Sequence, residues 1–362
     1  MKTILIKALV LLSVSIVVSC NSFSTSPVSG RRIKTPREMV WTCDTLVSPD
    51  STSIQLLMDN ILGFSANDLW ITGWCDVPRG IIWHYDGKSW KESIIVKDVG
   101  GVAVNDLAGY SSSDLWAGGF SNDFTFDDYA AFCHYDGNRW TKAPKTGVKG
   151  AVIDMCKDDN GNLWACARNG VVFKLIQGKW AADTIKISRD PASSYWLREI
   201  ECYRGKMSIV AAVSDSKLKG EIFYYIEGDM NNWTIKDSFY INSPQSILKW
   251  GNFGLSSGNT GKLFTSGLGG IWEYDNGNWS QSHDARGTVY NVFAFRPDYM
   301  LAAGDYESIL YFNGHRWENI FNLFPQADRY FVFKNVWTNG YETFIIGFTN
   351  DGFSKTLVWH GK

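Results

Sequence analysis

An excess of charge of either sign is missing from this chain. Its 35 Lys and Arg stand against 37 Asp and Glu over 362 residues, a formal net charge of −2. No basic stripe gathers along it, which argues against nucleic acid as a partner. Paired cysteine motifs are missing as well. Seven cysteines occur, yet none stands in a CxxC or Cys/His spacing, so no metal and no cofactor is expected. After residue 20 no apolar run approaches the length that crosses a bilayer. No Ser/His or Cys/His triad motif is present.

Aromatic residues are abundant instead, with 17 Trp, 16 Tyr and 21 Phe. Seven of the tryptophans, Trp41, Trp90, Trp140, Trp180, Trp233, Trp279 and Trp317, fall 49, 50, 40, 53, 46 and 38 residues apart. A period near 45 residues, made of short β-type runs and Gly turns, marks propeller blades of four strands each. Between Ile61 and Ile95 one unit reads as four strands, with Asp86-Gly87 turning the chain so that Tyr85 faces Trp90. A stricter column of small residues follows the second strand: Gly73, Gly119, Ala167, Ala212, Gly267, Gly304 and Gly347. Close backbone approach is the reason expected for it. The last unit stops at Lys362 without its Trp, and Trp41 supplies the missing one. The expected fold is therefore all-β: a seven-bladed β-propeller of four-stranded blades over residues 38–362, closed by an N-terminal outer strand that removes a free sheet edge.

The start of the chain predicts an address. Lys2 and Lys7 precede an apolar run from Ala8 to Val18, too short to span a bilayer and suited to a secretory signal over residues 1–19. Its end, Val17-Val18-Ser19-Cys20, resembles a bacterial lipobox. That resemblance implies lipidation at Cys20, with attachment to the membrane through the lipid anchor alone. Residues 20–37, rich in Ser, Pro and basic side chains, read as a flexible tether. Asn21 in place of Asp implies the outer membrane of a bacterial envelope. Six cysteines remain, expected mostly as free buried side chains; Cys156 and Cys166, either side of Asp159-Asn160-Gly161, could face each other on adjacent strands.

Gly118-Gly119 followed by Tyr135 and Trp140 resembles the kelch repeat. Asp158 to Trp164 with Asn169-Gly170 is similar to the regulator-type propellers of bacterial sensor kinases. The Ser-Asp-Leu-Trp and His-Tyr-Asp-Gly segments resemble those of bacterial propeller lipoproteins. These resemblances imply a fold and carry no catalytic residue across.

Recurring acids are turn residues on this reading: Asp86, Asp136 and Asp275 occupy hairpin turns in separate units. His84 and His134 share one position in neighbouring units and are structural. Asp158-x-Asn160-x-Asn162 lacks the Gly that a calcium loop needs at its sixth position, which is Leu163. The Ser-x-Asp-x-Gly box of sialidases occurs in no unit. Function should lie in the loops that follow the small column. The candidate binding face comprises Trp74, Phe120, Asp123, Phe124, Phe126, Asp127, Asp128, Tyr129, Arg168, Asp305 and Tyr306, with the acidic, aromatic run from Phe120 to Tyr129 as its longest loop. The expectation is a monomeric, membrane-anchored, non-enzymatic propeller that binds a protein or glycan. The alternative is a polysaccharide hydrolase or lyase using Asp305 and the Asp123–Asp128 acids.

Overall fold

The computed structural model describes residues 32–77, 81–93, 102–122, 128–187, 194–215, 219–243, 246–328, 330–349 and 355–362. Cys20, the signal segment 1–19 and most of the tether lie outside these residues. The described residues contain strands and three short 3-10 turns, with no α-helix among them.

The first sheet runs Leu56–Ser65, Asp68–Cys75, Ile82–Tyr85 and Trp90–Glu92, each strand antiparallel to the next. The second repeats this with Val102–Ser111, Asp114–Asn122, Asp128–Tyr135 and Trp140–Lys142. The third comprises Val152–Lys157, Leu163–Ala167, Val171–Ile176 and Lys179–Thr184, and the fourth Ser194–Tyr203, Lys206–Asp215, Gly220–Asp229 and Asn232–Ile241. Phe331–Thr338, Thr343–Thr349 and Thr356–Gly361 make the last sheet with Trp41–Leu46, which pairs antiparallel on its outer edge.

The seven four-stranded blades expected from the tryptophans are corrected to six sheets, five of four strands and one of six. The fifth sheet holds Gly254–Ser256, Leu263–Asp275, Asn278–Arg296, Tyr299–Gly304, Ile309–Phe312 and Trp317–Asn319. Trp279 and Trp317, counted as marks of separate units, both belong to it. The cause is one 19-residue strand, Asn278–Arg296. Its first part pairs back to Leu263–Asp275 and its second part forward to Tyr299–Gly304. Elsewhere a longer connection lets the chain leave one sheet before it enters the next.

Cross-strand aromatic pairs form where an Asp-Gly or Asn-Gly turn brings them together. Tyr85 lies opposite Trp90, Tyr135 opposite Trp140 and Tyr274 opposite Trp279, with ring centroids 5.1, 5.2 and 4.7 Å apart. Asp86 and Asp136 accept hydrogen bonds from the backbone N–H groups that follow them, at 2.9–3.0 Å. His84 stacks on Trp70 and meets Asp68 at 2.8 Å; His134 repeats this with Trp116 and Asp114. Asp158 likewise closes its own turn, accepting from the N–H groups of Asn160 and Asn162 and from the Trp164 indole. Trp41 lies opposite Gly361, leaving Cys43 to face Trp359. One register differs from expectation. Cys156 lies opposite Trp164 and Cys166 opposite Asp154, so the two cysteines do not pair.

The core lies between sheets, because each sheet has two apolar faces to cover. A Cβ at Gly73, Gly119, Gly304 or Gly347 would run into the carbonyl oxygen of Leu57, Ala103, Thr288 or Val332 on the preceding strand, which explains the glycine at those four positions of the small column. First and last sheets pack together through Met58, Leu69, Ile71, Trp337, Phe344 and Val358. The Trp337 indole donates to the Gly63 carbonyl at 3.1 Å, and Thr356 bridges Leu56 and Met58. Those contacts close the ring. Residues 33–36, assigned to the tether from sequence, dock on the last sheet at its seam with the fifth: Lys34 N–H donates to the Gly340 carbonyl at 2.9 Å, and the Pro36 carbonyl accepts from the Trp41 indole.

Candidate functional site

Each sheet runs up and down, so second-to-third-strand connections and sheet-to-sheet connections share one end of the ring. Exposure of apolar side chains is concentrated there. Twelve large hydrophobic residues are exposed among the described residues, and eight of them, Val47, Ile54, Trp74, Trp196, Ile247, Leu268, Tyr306 and Tyr330, sit at this end. Burying such a group recovers free energy only against a partner, so the bias marks this face for contact.

Those of the residues singled out from sequence that are described fall on this face but do not form one cluster. Trp74, opposite Leu57, is 47% exposed. Phe120 and Tyr129 lie in paired strands, Phe120 opposite Ala130 and Tyr129 opposite Ser121. Pairing continues to Asn122 and Asp128, so the connection is half the length read from the sequence. Asp123, Phe124, Phe126 and Asp127 lie outside the described residues. Asp305 has a structural task, accepting from the Thr288 N–H at 2.6 Å, with the Tyr290 hydroxyl 3.4 Å away. Tyr306, left-handed at φ 48°, projects with 73% of its surface exposed. Arg168 is exposed, its guanidinium 5.5 Å from the centre of the Trp196 ring.

Sequence reasoning missed the centre of the ring. A register shift occurs in the innermost strand of the first four sheets, between Met58 and Asn60, Val104 and Asp106, Val152 and Asp154, and Leu197 and Glu199. The same shift recurs between Val289 and Asn291 and between Phe333 and Asn335. Each bulge is followed by a polar residue, thirteen positions ahead of the small column in five of these strands and twelve in the last. That recurring offset was the available signal.

Four of these polar residues, Asn60, Asp106, Asp154 and Asn335, stitch neighbouring innermost strands together. Asn60 donates to the Asn105 carbonyl, Asp106 accepts from the Met155 N–H at 2.7 Å, and Asp154 accepts from the Ile200 N–H at 2.8 Å. Burial, aided by the carboxylates of its neighbours, holds Asp106 and Glu199 well above the usual carboxylate range. Burial also lifts Asp154 to about 6, against the pull of the Ile200 N–H, and Glu201 to about 7, against its hydrogen bond from Ser257.

Cations in this region rest on aromatic rings. The Arg198 guanidinium lies 5.1 Å from the Phe253 ring centre, 5.2 Å from Phe223 and 5.9 Å from Trp196, with Glu221 at 3.6 Å. Lys334 sits 4.2 Å over Tyr290 and 3.3 Å from Asp59. Phe253 and Tyr290 meet edge to face at 5.8 Å. The result is a run of cations and rings from Arg168 to Lys334, able to offer flat apolar faces and charged N–H groups together.

No family model matches this chain, and no curated protein matches it. Solved structures do. YCF48 bound to a D1 peptide superposes with a TM-score of 0.58 at 13% identity, over 89% of this chain and 94% of that one. YCF48 from Cyanidioschyzon merolae gives 0.55 at 14% identity, over 89% and 99%. BBS1N in complex with ARL6DN gives 0.51 at 10% identity, over 88% and 96%. Likeness at these identities establishes the architecture, and with the closed ring of sheets it identifies the chain as a β-propeller.

Proposed function

We propose that this propeller is a non-enzymatic binding protein that takes a protein partner on the face bearing Trp74, Trp196 and Tyr306. The gathering of eight exposed hydrophobic residues at one end of the ring carries this reading. Two of the similar propellers are described in complexes, one with a D1 peptide and one with ARL6DN, which supports a protein partner over a glycan. The hydrolase alternative has less to rest on. Asp305 is engaged with Thr288, and the adjacent pair Asp106 and Asp154 spend oxygens on the backbone of the following sheet. The protein is a monomer held at a bacterial envelope, in the outer membrane, by a lipid on Cys20; residues 1–19 are its signal and the segment after Cys20 its tether.

Affinity capture from detergent-solubilised envelope tests both halves. One protein should be retained by wild type and by Tyr110→Ala, which alters the opposite end of the ring. It should be lost with Trp196→Ala or Tyr306→Ala, while a glycan array stays blank. Capture that ignores both face variants, or specific retention on glycans alone, would overturn the reading. In the same cells Cys20→Ala should abolish palmitate labelling and move the protein to the soluble fraction; equal labelling of wild type and variant would remove the anchor.

A further inference from the structure

The chain that leaves the second sheet does not lie flat against it. Ala143 N–H donates to the Phe132 carbonyl at 2.9 Å, and the Val148 carbonyl accepts from the Ala130 N–H at 2.9 Å. Between these two points Pro144 has no N–H to offer, and Gly147 turns left-handed at φ 69°. Residues 144–147 therefore bow away, tied back by the Thr146 hydroxyl, which donates to the Ala130 carbonyl at 2.9 Å. The bow leaves a cavity of about 100 Å³ lined by Ser121, Tyr129, Ala130, Ala131, Ala143 and Pro144. Lys142 and Lys145 line it too, and both have interactions of their own. Three alanine methyl groups make the lining mainly apolar. Ser121 is the exception: it is 6% exposed, and its hydroxyl has no hydrogen-bond partner among the described residues. A buried hydroxyl in that state is unfavourable until something in the cavity supplies a partner. Ser121 and Tyr129 stand near the tips of Asp114–Asn122 and Asp128–Tyr135, at the end of the ring that carries Trp74, Trp196 and Tyr306.

We infer that this cavity receives a branched aliphatic side chain of the protein partner, Val, Leu or Ile, whose own main chain hydrogen-bonds the Ser121 hydroxyl. This rests on the protein-binding reading above and gives it an anchor of stated chemistry. An apolar cavity of roughly 150 Å³ holds benzene, so one of this smaller size holds a side chain of about three or four carbons. Aromatic side chains are too large for it. A charged one would lose its hydration against the alanine methyl groups. A sugar carries more hydroxyls than Ser121 alone can satisfy.

An array of random peptides, each about 12 residues long and so able to lie extended across the face, tests this when probed with the full mature protein. Val, Leu and Ile should be enriched among the bound peptides. The enrichment should vanish with Ala143→Leu, whose added carbons occupy the cavity. In solution, a labelled peptide from that set should bind about fivefold more weakly to Ser121→Ala. Ser121→Ala should melt with wild type, because its hydroxyl has no partner in the fold to lose; it decides the matter if Ala143→Leu fails to fold. Selection of aromatic or charged peptides without an aliphatic residue, no binding by any peptide, or unchanged affinity in Ser121→Ala or in a folded Ala143→Leu would overturn the inference. Loss of envelope capture in Trp196→Ala together with any of those results would leave the protein-binding reading standing and remove only this anchor.

Discussion

A chain beginning at Thr45 should melt at least about 10 °C below the full propeller and should aggregate at temperatures where the parent stays monomeric. Such a chain lacks four of the six rungs through which Trp41–Leu46 covers Thr356–Gly361. The strand left bare is buried throughout in the intact protein, and its edge would present unpaired N–H and C=O groups beside Val358 and Trp359. Also lost are the edge-to-face contact of Trp41 with Phe324 at 4.5 Å and the indole hydrogen bond to Pro36. Trp41→Ala alone removes only those last contacts. Because the ring is half-buried, that substitution should cost about 1–3 kcal/mol, below the range for a fully buried Trp. Thermal unfolding followed by circular dichroism, with light scattering, checks both. A truncated chain that melts like its parent would mean that the outer strand contributes nothing to closure.

Stability should fall as pH rises from about 4 to 8, the reverse of the usual behaviour of salt-bridged acids. The sign follows from the direction of the shifts. Asp106, Asp154, Glu199 and Glu201 all have folded-state values above those of the unfolded chain, so the folded state holds more protons within this window. Raising pH strips protons that only the fold retains. For Asp154, raised from 3.8 to about 6, and for Glu201, from 4.5 to about 7, the loss is on the order of 3 kcal/mol each. Below about pH 4 the slope should reverse, because Asp158 and Asp183 are held below their ordinary values by hydrogen bonds to Asn162 and Trp164 and to Asn231 and Trp233. Asp106→Asn keeps an oxygen for the Met155 N–H without a charge. It should raise the melting temperature at pH 8 and flatten the dependence. A melting temperature that climbs from pH 5 to 8, or a variant no different from wild type at pH 8, would show that these acids are more hydrated and more charged than their burial indicates.

Local chemistry was legible in the sequence where one residue type has one use. Asp-Gly turns set the Tyr85–Trp90 and Tyr135–Trp140 pairs, and Gly73, Gly119, Gly304 and Gly347 follow from carbonyls that leave no room for a Cβ. Blade number was not legible from tryptophan spacing. Trp279 and Trp317 recur at the expected interval, but spacing does not reveal whether the chain leaves the sheet between them, and Asn278–Arg296 stays in it. The central acids escaped notice for a different reason. Asp106, Asp154 and Glu199 sit in strands of ordinary alternation, and the bulge beside each is visible only in the fold. Trp196 was hidden because its meaning depends on Arg168, which belongs to another sheet and comes close only through ring geometry. Properties confined to one hairpin survive in the sequence; those made between sheets require the fold.

Site-specific photocrosslinking in cells addresses the central claim most directly. A photoreactive phenylalanine replacing Tyr306, on the loop face, is compared with one replacing Tyr110, at the opposite end of the ring. Both side chains are exposed, at 73% and 43%, so reach to solvent does not separate them. The binding account predicts a discrete protein adduct from position 306 and none from position 110, with the position-306 adduct suppressed by Trp196→Ala. An adduct from position 110 alone, or equal adducts from both that Trp196→Ala leaves intact, would contradict it.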